Sequence, residues 1–559
     1  MVKKNYFFIF SLIIAELLFL SCSGKNSSLY AAGEALIPLN EEAENNTVDS
    51  PDDSPYLFYR FTDGQKSLIK EMQCYEDGVS LRINVSPKEK MGKFSFGFLY
   101  KNDFLSEEKI LTPLTSRYQV RGNYSDVKNK NFGLKFCIKK SDEPEGFYYY
   151  STAKAEILEC ELENYAIGID FARSLFAFGT EGGSLSSKVA AIDFSRAGTT
   201  FSSDKMLVLK INKKKAEKAT STERIVFENR NESFSVRLAG SKEIKFHEKG
   251  FKNGLSKVTI KSGLEYVDSL MLYNAGSQKA ISADIGMILG WPEESWRRSD
   301  FELFRWDAFP GVLFFDFATY RIQDSFLTRL AYFVEKTGYK GTFVDDDFIL
   351  NNHGYNAHDY KAYDIARFFT KAKKIGFVLN ENEELLKSIL IENGIITVLP
   401  DGTYEEGTGC IISISRESSP YLRNQLVAHE CWHGIYFMNE GFRDYVKELY
   451  NTFNPEAMNF LKSYWATAPG LGYDLNDEYL MKNEFMAYHL QLGPDVTGKY
   501  FLTRSYWSNM REFPDLVRYV QHTEGKAYED IAYKLSDYVY EHWGLYGGRT
   551  FLVFREEIQ

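Results

Sequence analysis

The sequence predicts a multidomain chain: all-β sandwich regions in the N-terminal half, then an α+β domain whose C-terminal part is mainly helical. Three observations lead there. A chain of 559 residues is longer than one hydrophobic core fills, at about 150 residues per domain. Its apolar residues recur with period two in short runs up to about residue 290, as strands require, and with helical period after Trp291. Its composition, 44% hydrophobic and 26% charged, is that of a folded protein.

Residues 1–22 have the pattern of an export signal. Lys3 and Lys4 precede an apolar run from Tyr6 to Leu20, which carries Glu16 and is short for a bilayer span. The run ends Phe19-Leu20-Ser21-Cys22. That ending resembles a bacterial lipoprotein signal, although Phe19 stands where an aliphatic residue is usual. The resemblance implies cleavage before Cys22, lipidation of Cys22 and attachment to the cell envelope through that lipid. A plain secretory signal is the other reading, and both export the chain. Residues 23–55, rich in Ser, Asn, Glu and Asp, suit a flexible tether.

Residues 56–212 alternate apolar and polar, as in Val79-Ser-Leu-Arg-Ile-Asn-Val85 and Phe94-Ser-Phe-Gly-Phe-Leu-Tyr100, and suggest a β-sandwich. A lysine-rich linker follows. Residues 221–292 repeat the pattern in Ser233-Phe-Ser-Val-Arg-Leu238 and Ser256-Lys-Val-Thr-Ile-Lys261, a second and smaller β domain. The last domain spans 300–559. Its expected strands are 311–317, 395–399 and 410–415, and its expected helices 325–337, 360–374, 382–392, 420–438, 442–452, 454–466, 477–491 and 511–522.

Chemistry is concentrated in His429-Glu430-Cys431-Trp432-His433, in a chain with only 8 histidines. Residues four apart share a helix face, so His429 and His433 can bind one cation together. Glu430 then stands beside the metal, where it can take a proton from an attacking water. Ser419-Pro420 starts this helix, with proline at the first position, and Asn439 and Gly441 stop it about five turns later. Leu422, Leu426 and Tyr436 fall on the histidine stripe, which places the imidazoles on a half-buried face. Cys431 points away from it and suits a small buried hydrophobe.

Two histidines leave a catalytic zinc one protein ligand short. Position 436 is Tyr and position 439 is Asn, so the third histidine of the metzincin pattern is absent. On the helix expected at 477–491, Leu480, Glu484, Ala487 and Gln491 form one stripe. A carboxylate there needs a positive partner, which makes Glu484 the expected third ligand and Glu478 the alternative. With Asn483-Glu484 in place, residues 405–491 resemble the gluzincin zinc peptidases. The resemblance implies a zincin-like fold, one catalytic Zn2+ held by His429, His433 and Glu484, Glu430 as general base, and a peptide or protein substrate. It also implies that the strand at 408–414 is the sheet edge that pairs with substrate. Fifty residues separate His433 from Glu484, more than in the thermolysin-like, aminopeptidase or mucin-directed branches, so no subfamily follows. Tyr473, Tyr488, His489 and His522 are candidate partners of the site.

The remaining features carry less chemistry. His353-Gly-Tyr-Asn-Ala-His358-Asp359 could line a substrate cleft or form a second metal site, but a loop with Asp359 capping the next helix is favoured. Asp345-Asp346-Asp347 lacks calcium-loop spacing and suits a solvated turn. Cys74, Cys137, Cys160, Cys410 and Cys431 have no regular spacing for a disulfide framework. A net charge of −11 without a long basic run argues against nucleic acid as a partner. The β regions could carry a glycan or protein ligand, an expectation from architecture alone. The competing function is a non-catalytic surface lipoprotein, an adhesin or glycan-binding protein with an incidental H-E-x-x-H.

Overall fold

The computed structural model describes residues 204–558 apart from 239–242 and 276–277, together with separate segments between 36 and 193. The export signal, Cys22 and all of the 23–55 tether except residues 36–38 lie outside the described residues. Within the tether, Leu36–Pro38 is a strand, antiparallel to Ala155–Asn164 with Leu36 opposite Glu163. A short apolar run in polar surroundings is enough to extend a sheet that offers an open edge.

The chain is a multidomain α+β protein with several mostly antiparallel sheets in its N-terminal half. One sheet has Val79–Pro87 between Ala155–Asn164 and Phe132–Ile138; another has Lys93–Leu99 between Val120–Asn123 and Gly146–Ser151. Two further sheets cross the limits expected for the β domains. Ile167–Asp170 and Lys205–Ile211, expected in the first, both pair with Val267–Asn274 in the second. Val553–Glu557, near the C-terminus, pairs with Glu232–Arg237. Period two reports that a strand has a buried face, but not which strand lies beside it.

This second β region is joined to the C-terminal half through one hydrophobic core, which runs from Leu207, Phe227 and Phe246 through Trp291 and Trp306 to Trp432. Buried Asp284 helps to close it, accepting hydrogen bonds from the amides of Gly286, Leu552 and Val553 at 2.8, 2.9 and 3.1 Å. A Cβ at Gly286 would lie 1.7 Å from the Val553 carbonyl oxygen, so only glycine fits.

The C-terminal half is built on a mixed sheet of β1 (Ile281–Ala283), β2 (Phe301–Trp306), β3 (Val312–Phe317), β4 (Ala357–Lys361) and β5 (Cys410–Ser415), in the order β1-β2-β3-β5-β4. β3 and β5 are parallel, and β4 runs antiparallel to β5. Side chains alternate between two cores. Leu313, Phe315 and Ile411 pack under α1 (Tyr320–Val334), α2 (Ala362–Ile375) and α3 (Glu381–Glu392), whereas Phe314, Ile412 and Ile414 face the opposite side. There lie α4 (Pro420–Met438), α5 (Glu440–Thr452), α6 (Pro455–Thr467), α7 (Glu478–Leu490), α8 (Pro494–Ser505), α9 (Pro514–His522) and α10 (Lys526–Trp543).

Two expectations need correction. The strand expected at the sheet edge, 408–414, is internal: β5 lies between β3 and β4 and is buried along its whole length. Its run of isoleucines is what burial on both faces requires. The edge is β4, in the stretch expected to be a loop. Asp359 lies within this strand and caps nothing; the N-cap of α2 is Lys361. In the helical part, Gly493-Pro494 ends α7 and also begins α8, because proline occupies the first helical position there. Among the described residues no helix is long and apolar enough to cross a membrane.

Candidate metal centre

The histidine-bearing helix α4 is fastened at both ends. Arg423, in its first turns, donates two hydrogen bonds to the Asp316 carboxylate on β3, at 2.9 and 2.8 Å, and Arg416 adds a third contact at 2.7 Å. Further along, Gly434 packs on the sheet; a Cβ there would come within 3.1 Å of a Val312 methyl. Trp432 donates from its indole nitrogen to the Leu490 carbonyl at 2.8 Å, which ties α4 to α7.

Across that junction the expected ligands converge. Nε2 of His429 lies 3.5 Å from Glu484 Oε2, and Nε2 of His433 lies 3.7 Å from Glu484 Oε1. One ligand atom from each residue lies within 4.8 Å of the other two, and all three residues are buried, His433 to 1% exposure. The group could hold a metal ion. Glu478, the alternative ligand, is 74% exposed and pairs with Lys482.

Hydrogen bonding supports occupancy by a cation. Neither ring nitrogen of His433 has a hydrogen-bond partner, and neither do Glu484 Oε2 and Glu430 Oε2. Buried polar atoms left unpaired cost about 1–3 kcal/mol each, and a divalent ion would satisfy His433 Nε2 and Glu484 Oε2. The ring orientations fit as well. His429 Nδ1 lies 3.2 Å from Gln491 Oε1, which holds the proton on Nδ1 and leaves Nε2 free to ligate. His433 Nδ1 faces Asp359 Oδ2 at 3.8 Å.

The surroundings are acidic. Burial pushes Glu430 up to about 8, helped by repulsion from Glu484. Burial and the neighbouring carboxylates of Glu430, Glu335 and Glu484 hold Asp359 well above the usual range. Glu335, just beyond α1, rises to about 8 for the same reasons. At Glu484 burial is outweighed by the histidines, so its pKa is lowered. Burial also lowers His433 to about 4, which keeps its imidazole neutral, the form that ligates.

The centre opens into a cleft of about 520 Å³, whose walls include Tyr355, Leu426, Tyr473 and Tyr488. Tyr488 sets its ring edge-on to His429 at 5.1 Å. Of the other candidates, His489 points into an aromatic core and donates to the Phe485 carbonyl, and His522 is exposed. His353 pairs with Asp324 at 2.9 Å, and His358 is turned to Gln323 and Ser413; both line the cleft, and among the described residues neither belongs to a group that could hold a metal ion. Asp345 caps the short helix Asp346–Asn351. Sequence reasoning missed Gln491 and Asp359 as partners of the imidazoles. Gln491 lay on the same stripe as Glu484, a usable signal; Asp359 is 71 residues upstream of Glu430 and gave none.

Comparison with protein-family models, curated proteins and solved structures finds no match to this chain.

Proposed function

We propose that this protein is an exported, lipid-anchored, zinc-dependent peptidase of gluzincin type. The observation that carries this reading is the meeting of two buried imidazoles and one buried carboxylate, from separate helices, with Glu430 beside them. His429, His433 and Glu484 would hold Zn2+, which suits two neutral nitrogens and one oxygen. Bound there, zinc would polarise the substrate carbonyl and acidify a water.

The protein's own residues supply the rest. Glu430 accepts the proton of the attacking water and returns it to the leaving nitrogen. Gln491 orients the His429 imidazole, and the Asp359 carboxyl group faces Nδ1 of His433. A substrate main chain lies along the open edge of β4, which pairs with β5 on one side and with no strand on the other among the described residues. Lipidation of Cys22 would hold the protein at the cell envelope, and the β regions would position it or bind a glycan or protein.

Metal analysis of the purified protein tests the site. One zinc per chain, lost in His433→Ala, is expected. Glu430→Gln should keep the zinc and lose hydrolysis of a peptide library; a metal-free native protein, or unchanged turnover in that variant, would leave the non-catalytic lipoprotein as the better reading. Cys22→Ser should move the protein from the membrane fraction to the soluble one.

A further inference from the structure

The cleft has two electrically different ends. Around the metal centre stand the carboxyl groups of Glu335, Asp359, Glu430 and Glu484. Much of the remaining lining is aromatic, and Arg504, in the last turn of α8, belongs to it. Its guanidinium carbon lies 4.2 Å from the ring centres of both Tyr500 and Trp507. Its Nε is buried without a hydrogen-bond partner. Among the described residues no carboxylate is shown to pair with it; Tyr500 and Tyr464 accept hydrogen bonds from it and raise its pKa against the effect of burial. The other cation of the cleft, Lys336, is already engaged, its amine donating to the Gly470 carbonyl at 2.8 Å over the Tyr355 ring.

We propose that Arg504 binds a carboxylate of the substrate and so sets the preference of the cleft. The proposal rests on the peptidase reading and names the substrate class for that site. Stacking and hydrogen bonds to the Tyr500 and Tyr464 hydroxyls fix the guanidinium, whose charge no acidic side chain among the described residues is shown to pair, so a carboxylate can accept from its remaining N–H donors. The aromatic wall excludes water and strengthens that pair. Position fits as well. The ring of Tyr488 lies 5.1 Å from that of His429 and 6.5 Å from that of Tyr500, on which Arg504 stacks, so two rings stand between Arg504 and the expected metal ligand. That span is a few residues of extended peptide, at about 3.4 Å each. The carboxylate is either the C-terminus of the substrate or an acidic side chain near the cleaved bond.

The experiment uses the full-length zinc-loaded Glu430→Gln protein, in which hydrolysis is off and binding can be read alone. In one arm, acetylated peptides without internal acids carry a free or an amidated C-terminus; in the other, amidated peptides carry Asp or Glu against Asn or Gln. The expected result is about tenfold or greater preference for the acid in one arm, which identifies its source. That preference should fall to near unity when Arg504→Gln is added and survive in part in Arg504→Lys. Equal affinity for acid and amide in both arms, no binding of any peptide, or a preference that persists without Arg504 would each overturn the proposal. The first comparison needs no change at Arg504, so a misfolded variant does not blunt the test. Turnover by the unsubstituted protein is scored separately. Carboxylate binding without turnover refutes the reaction and spares Arg504, whereas turnover without acid preference does the reverse.

Discussion

Arg423 and Asp316 form a two-pronged ion pair that fastens the histidine-bearing helix α4 to the centre of the mixed sheet, with both side chains buried. Asp316 also receives Arg416. One carboxylate therefore serves two guanidinium groups, and removing its charge leaves both with only backbone carbonyls as partners among the hydrogen bonds described. Asp316→Asn should destabilise the protein by about 3–5 kcal/mol, measured by denaturant unfolding. A loss under 1 kcal/mol would show that the helix is held by apolar packing alone.

Two acidic residues of α7 should behave oppositely. Glu484→Ala removes a ligand and should abolish stoichiometric metal binding. Glu478→Ala alters an exposed side chain and should bind metal as the native protein does. Elemental analysis of the two variants checks the assignment, and metal lost from the Glu478 variant would refute it.

Gln491 acts through His429. Its amide oxygen fixes the ring tautomer, so Gln491→Leu should lower zinc affinity by about 10–100-fold while the three ligands remain in place. Competition with a chelator of known affinity reads this directly. An unaltered dissociation constant would reduce the 3.2 Å contact to packing.

His489 predicts a pH dependence of stability. Burial among Phe453, Phe501 and Tyr528 lowers its pKa to about 4, against 6.5 in the unfolded chain. Below 6.5 the unfolded state takes up a proton that the folded state refuses. Its contribution is therefore complete above pH 6.5 and is lost as the pH falls towards 4. The slope is at most about 1.4 kcal/mol per unit. His489→Phe should flatten the unfolding free energy across this window, and an unchanged slope would assign the loss to other groups.

Much of the site could be seen in the linear chain because helical periodicity is local. His429 and His433 share a face at spacing four, and Glu484, Ala487 and Gln491 share another, whatever surrounds them. The bounds of the histidine-bearing helix were close for the same reason: Pro420 opens α4 and Asn439 closes it, whereas α8 and α10 were not expected. The sheet was harder. Alternation marked Val79–Pro87 and Lys205–Ile211 as strands, but strand neighbours are chosen by long-range packing. Val553–Glu557 thus joined a sheet begun more than 300 residues earlier. The polar strand β4 has little apolar signal and resembled a loop, although it forms the open edge of the sheet beside the metal centre.

Residue order along the chain thus sufficed for groups one or two helical turns apart, where backbone geometry sets the distance: the imidazole pair, its neighbouring glutamate and the stripe bearing the third ligand. It could not bring Asp359 to His433, Arg504 to the cleft, or β5 to the interior of the sheet. Those positions depend on how separate elements pack, which reflects the burial of surfaces contributed from all along the chain.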